Sequence, residues 1–222
     1  MTHPGIPPET GPARSRWGTM RLGAEFMLLF GGTPLLILSL RRAMVLFIFL
    51  WVAALLAAWW MNGTRARPHH RKREIAVVFG RFLVLGSGLA LLCWQLAPEH
   101  FLELPRHRPG FWLLLMLLYP LLSVWPQEVL YRQFLFTRYA ALLETPLRRI
   151  TASAIAFGFA HVIFLNWIAV ALTVAGGVLF ARDYERHRSL RLSCLEHSLF
   201  GCLIFTLGLG HYFYTGAAWH HG

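Results

Sequence analysis

The chain has 222 residues, 56% of them hydrophobic and only 14% charged, with a mean hydropathy of +0.50. Soluble domains carry about a quarter charged residues, so a water-soluble globule is excluded, and apolar blocks that do not alternate with polar residues exclude a membrane β-barrel. A net charge of +11 and a pI near 10.8 invite a nucleic-acid reading. However, Lys and Arg sit in short segments between apolar blocks, the pattern of loops held against anionic lipid headgroups. The lipid bilayer is therefore the expected partner and nucleic acid is not.

Residues 1–24 are a polar, Pro-rich leader with Arg14, Arg16 and Arg21. No small-residue cleavage site of a secretory signal stands out, so a cytosolic tail ahead of the first span is expected. Apolar blocks follow at 26–40, 43–61, 75–97, 111–125, 150–165, 167–181 and 199–214. Several approach or reach the roughly 20 residues that cross a hydrocarbon core. The expected fold is all-α, a polytopic bundle of about seven or eight transmembrane helices. It divides into N-terminal spans at 25–110, a helical core at 111–214 and a C-terminal tail at 215–222. Eight Lys and Arg in the leader and in "RARPHHRKR" (65–73) outnumber four at 41–42 and 104–110. That asymmetry predicts a cytosolic N-terminus and an integral protein of the cell membrane. Cys93, Cys194 and Cys202 lack CxxC spacing and suggest neither a disulfide framework nor a zinc finger.

The two halves differ. Up to about Pro109 the spans hold few ionisable residues, Glu25 and Arg81, which can snorkel or pair. From Phe111 onward every block carries embedded polar groups. In "WPQEVLYR" Glu128 precedes Arg132 by four, one helical face. Pro126 beside them frees carbonyls near 122–123 and can kink the span. "ETPLRRITAS" breaks the next helix, with Thr151 or Ser153 as its cap. "FGFAHVIFLNW" then places His161 in an apolar helix with Asn166 five residues on. "CLEHSLFGC" sets Glu196 beside His197, and His211 falls near the end of the last block.

Each has a bland reading. Glu128 and Arg132 could be a structural ion pair, His161 a satisfied core histidine, His197 a carbonyl partner, and His211 part of an interfacial tail. Together they are harder to dismiss, because ionisable groups inside spans face the bundle interior and mark functional sites. A carboxylate and two histidines suffice to activate water, and a His with an amide can stabilise an oxyanion. Glu128, His161 and His197 could equally hold a zinc ion, although HExxH is absent.

Three motifs in this order resemble the CPBP family of intramembrane endopeptidases, relatives of type II CAAX prenyl proteases and of bacteriocin-processing or immunity proteins. The motifs are "QEVLYR" at 127–132 for EExxxR, "FGFAH" at 157–161 for FxxxH, and "HSLFG" at 197–201 for HxxxN or HxxxD. The resemblance covers about 111–214. It implies a helical bundle whose motif residues converge on a cavity, and cleavage of a peptide bond of a membrane-associated protein or peptide. It implies that the motif-one Glu and His161 activate water, that His197 and the third-motif amide support the oxyanion, and that Arg132 holds the motif-one carboxylate. Phe157, Asn166 and Gly201 are then candidates for contacting substrate. Two departures stand out. Gln127 replaces the first Glu and cannot take a proton from water. Glu128 points about 100° away on a helix. Gly201 occupies the place of the amide. A catalytically weakened relative acting as chaperone, immunity or partner-binding protein is therefore the alternative. A proton-coupled carrier is a third, against which stands the lack of an internal repeat.

Overall fold

A computed structural model describes residues 16–62 and 72–214. Residues 1–15, 63–71 and 215–222, and with them most of the leader, most of the basic segment and the C-terminal tail, lie outside the described residues. Among the described residues all regular structure is helical. The helices are α1 (Arg16–Leu40), α2 (Ala43–Trp60), α3 (Lys72–Leu96), the short α4 (Glu103–His107), α5 (Pro109–Arg138), α6 (Pro146–Ala160), α7 (Trp167–His187) and α8 (Leu190–Thr206). A 3₁₀ turn, His161–Phe164, extends α6, and another, Leu209–Phe213, follows α8. Among the described residues six helices are long and apolar enough to cross a membrane: α1, α2, α3, α5, α6 with its turn, and α7. At 17 residues α8 is shorter, yet it packs within the same bundle against α3, α5 and α7.

The helix ends follow local chemistry. α1 already includes Arg16–Gly23, within the stretch 1–24 expected to be a tail. Thr145 caps α6 by accepting from the Arg148 amide at 3.3 Å, with Pro146 at the first helical position. Pro suits that position because its missing N–H has no intrahelical partner there anyway. Thr151 and Ser153, expected as caps, lie inside the helix instead, and Ser153 Oγ donates to the Tyr131 carbonyl at 2.7 Å. The charged hinge after α7 is Arg188 in the left-handed region, φ 48°, and Ser189 capping α8 through the Leu192 amide.

α5 is not a regular helix. Wide turns at Pro120–Val124 and Val129–Phe134 flank a tight segment Trp125–Glu128. Pro126 has no N–H to give Leu122 four residues back, and the freed carbonyl accepts from the Trp51 indole of α2 at 3.0 Å. The expected interruption is thus present, and its orphan acceptor is satisfied from another span.

The second half of the chain forms the inside of the bundle. In the apolar window of α7, 39% of residues are buried against 11% in α2 and in α3, so the first spans face lipid and the motif-bearing helices pack within. α6 and α7 approach closely where Gly177 meets Ala154 and Gly158 meets Val174; a Cβ on Gly158 would overlap the Val174 side chain. Small residues at a crossing are how membrane helices gain packing without a hydrophobic drive. Phe30, Tyr131, Leu135, Phe136, Tyr139, Phe157 and Phe180 form the aromatic-rich core. Glu25 of α1 is tied to the end of α5 by Arg138, at 2.8 and 2.6 Å, and by the Tyr139 hydroxyl at 3.1 Å.

Candidate active site

The irregular α5 separates its two adjacent polar residues. Gln127 lines a cavity of about 1270 Å³, whereas Glu128 is fully buried behind it and does not line it. The same cavity is lined by Phe157, His161, His197, Gly201 and Tyr119. Gln127, His161, His197, Phe157 and Gly201, singled out in the sequence, therefore do face one space.

Glu128 is the hub beneath that space. One carboxylate oxygen accepts from His197 Nδ1 at 2.8 Å. The other accepts from the Ser193 hydroxyl and lies 3.4 Å from Arg132 Nε. Arg132 is fully buried, and among the described residues none of its nitrogens is aligned for a hydrogen bond. Its charge is met by Glu128 and by the faces of Phe157 and Phe180, 4.6 and 5.6 Å from the guanidinium carbon. The expected pairing of Arg132 with Glu128 is present as an ion pair supported by aromatic rings.

Both histidine tautomers follow from their partners. His161 Nδ1 lies 2.7 Å from the Phe157 carbonyl, which only accepts, so the proton sits on Nδ1. His197 Nδ1 faces a carboxylate and is likewise the donor. Neutral rings then carry their lone pair on Nε2. For His197 that nitrogen is 3.2 Å from the Tyr119 hydroxyl, which donates to it. The two rings flank Phe157, at centroid distances of 4.8 and 5.3 Å. Gln127 Nε2 donates to Ser123 Oγ at 2.8 Å, and its Oε1 is buried without a hydrogen-bond partner among the described residues.

Tyr119 escapes a motif-based reading. Gly201 stands where the family's third motif has an amide, and a Cβ there would collide with the Tyr119 ring and hydroxyl. The tyrosine fills the room that the missing side chain would need and supplies a polar hydrogen at the same ring nitrogen. The sequence holds no signal for this, because the two partners are 78 residues apart.

Asn166 does not join the site. Its Oδ1 accepts from the Ile168 and Ala169 amides at 2.9 and 3.3 Å, capping α7, and it does not line the cavity. Glu196, although next to His197, turns to the other side of α8 and pairs with Arg81, which also holds Asp183 at 2.5 and 3.3 Å. His211 lies exposed at the edge of the cavity.

A zinc ion shared by Glu128, His161 and His197 does not fit this arrangement. Both Glu128 oxygens are engaged by protein partners, and among the described residues no three His, Cys, Asp or Glu side chains come together as a ligand set.

The architecture is that of a polytopic helical membrane protein with a buried polar site built from its second half. Residues 109–203 match the family described as type II CAAX prenyl endopeptidase, Rce1-like. That segment carries all three motifs, and the resemblance to the CPBP family is shown over it. Over that segment the chain is similar to type II CAAX prenyl endopeptidases. No curated protein and no solved structure matches the chain.

Proposed function

We propose that the protein is an intramembrane endopeptidase that hydrolyses a peptide bond of a membrane-associated protein or peptide, its water activated by a histidine that a buried glutamate orients. The observation that carries this reading is the pair formed by Glu128 and His197 at 2.8 Å, with His197 lining the cavity and Glu128 sealed behind it. A buried carboxylate on Nδ1 fixes the tautomer and stabilises the imidazolium that forms when Nε2 takes a proton, the logic of the Ser-His-Asp triad. Glu128 thus acts as a positioning residue, and Arg132 and Ser193 keep its oxygens in place.

In this mechanism a water donates one hydrogen to the unpartnered Gln127 Oε1, which orients it, and turns the other towards His197 Nε2, with His161 lining the same space. His197 Nε2 takes a proton from the water as the oxygen attacks the carbonyl carbon of the scissile bond. Tyr119, displaced from the protonated ring, donates its hydroxyl to the oxyanion. His197 then gives the proton to the leaving nitrogen as the C–N bond breaks, yielding a carboxyl and an amine. Gln127 orients the water but takes no proton, consistent with the loss of the family's first Glu. The chain lies in the cell membrane with α1 starting at the cytosolic face.

One observation favours a second reading. The first motif position holds no proton acceptor, which fits a weakened relative that binds a peptide without cutting it. Cleavage of a quenched library of apolar peptides in proteoliposomes separates the two. In the endopeptidase reading the wild type cleaves, His197→Ala abolishes turnover, and Glu128→Gln lowers kcat about 10²–10⁴-fold, the general-base contribution. An inert wild type from which Gln127→Glu recovers cleavage identifies the binding protein. Wild type, Gln127→Glu and His161→Ala all equally inert would sink the endopeptidase reading altogether.

A further inference from the structure

The cavity belongs to one end of the bundle. α1 lines it from its second half, through Thr33 and Ile37, and α2 from its first half, through Leu46 and Leu50. α6 contributes from its His161 end and α8 from its Phe205 end. Because successive spans run in opposite directions, these halves share the membrane face that carries the connections 41–42, 97–108, 165–166 and 207–214. Glu103, His107, Arg108 and His211, all exposed and all on those connections, line the cavity and form its mouth.

The opposite end is sealed. Leu135, Phe136, Tyr139 and Tyr184 are buried there in the core that continues from Tyr131 and Phe180. Two polar clusters, Glu128 with Arg132 and Arg81 with Asp183 and Glu196, fill the space between the helices at that level. A chain approaching from the sealed end would have to break both.

The charges identify the two faces. Of the described Lys and Arg outside the buried clusters of Arg81 and Arg132, eleven lie towards the sealed end, from Arg16 and Lys72 to Arg188 and Arg191, against four at the open end, Arg41, Arg42, Arg106 and Arg108. Short loops rich in Lys and Arg stay in the cytosol. We infer that the site is loaded from the extracytoplasmic face. The substrate class is then an apolar polypeptide segment anchored at or delivered to the outer leaflet, not a cytosolic chain terminus. The apolar walls take its side chains, while Glu103, His107 and Arg108 meet the polar flank where it leaves the membrane. This substrate class rests on the endopeptidase reading; the direction of access does not.

The test is cysteine accessibility in intact cells. Single cysteines are placed at the mouth (His107→Cys), on the cavity wall (Leu115→Cys) and at the sealed end (Arg186→Cys), in a chain whose three native cysteines are replaced by Ala. If that background does not accumulate, the same variants are made in the wild type, whose own labelling is the baseline. A membrane-impermeant maleimide should label His107→Cys and Leu115→Cys in intact cells, and Arg186→Cys only after permeabilisation. The reverse pattern overturns the orientation. Labelling of His107→Cys without Leu115→Cys, before or after permeabilisation, overturns access through this mouth. Labelling needs no hydrolysis, so a chain that labels as expected yet cleaves nothing defeats the endopeptidase reading alone. Where the wild type cleaves, attaching a polyethylene glycol maleimide to His107→Cys from outside should cut turnover about tenfold or more; unchanged turnover overturns entry by this route.

Discussion

A Cβ on residue 201 would land on the Tyr119 ring, so the glycine and the tyrosine are one device divided between α8 and α5. The hydroxyl sits 3.2 Å from His197 Nε2, within reach of the oxyanion formed when that nitrogen takes a proton. Tyr119→Phe keeps the ring that packs over Gly201 and removes only the donor. It should leave thermal stability in detergent nearly unchanged and lower kcat about 10²–10³-fold, the usual effect of losing one oxyanion donor. Gly201→Asn alone should lower folded yield, because the new side chain has no room. Combined with Tyr119→Ala, the same substitution gains a vacated site and an amide, so the double variant should recover yield beyond additivity, as coupled neighbours do. Equal loss in the single and double variants would show that the two residues do not share a function. Motif reading finds Gln127, His161 and His197 because each sits at a fixed spacing in an apolar run. It passes over Tyr119, one of several aromatics in a lipid-rich segment, since nothing local marks the one that faces inward.

At the scale of elements, the apolar blocks gave the spans but not their ends. A helix terminus depends on which side chain reaches a free amide. Both Thr145 and Thr151 could do so on paper, and the proline after Thr145 settles the matter by starting α6 there. Pro126 was legible, because a missing N–H has only one consequence for the carbonyl four residues back. That the Trp51 indole of another span would take up this carbonyl was not, since tertiary packing decides it. Asn166, expected among the substrate contacts, is used locally, as the cap of α7. Asn166→Ala should therefore cost about 0.5–2 kcal/mol, the usual loss of a cap. That should appear as a lower Tm, while kcat/KM of the surviving folded protein stays within a few-fold of wild type. A large drop in kcat/KM at unchanged Tm would return Asn166 to the substrate-contacting group.

For the whole molecule, the question is what joins the lipid-facing N-terminal spans to the core that carries the motifs. Apolar contact alone joins helices weakly in lipid, since the tails offer the same surroundings. Among the described residues two ionic ties cross the divide. Glu25 of α1 holds Arg138 and Tyr139 at the end of α5, and Arg81 of α3 holds Asp183 of α7 and Glu196 of α8. The second lies deeper and is unequal, two carboxylates against one guanidinium, with Glu196 fully buried. Removing the cation strands both acids away from water, and uncompensated buried charge costs about 3–5 kcal/mol. Arg81→Ala should thus reduce the folded fraction extracted from membranes and lower Tm sharply. Arg81→Met with Asp183→Asn and Glu196→Gln removes the whole charge set at similar volume and should restore most of that loss, because no uncompensated charge stays buried and a neutral amide costs far less to desolvate. None of these residues lines the cavity, so the rescued variant should keep its maleimide pattern at His107→Cys and Leu115→Cys. If Arg81→Ala folds as well as the wild type, this tie is dispensable and the two halves are held by packing and the Glu25–Arg138 tie. If the triple variant stays as unstable as the single one, the network serves the fold through its specific geometry and not through charge balance.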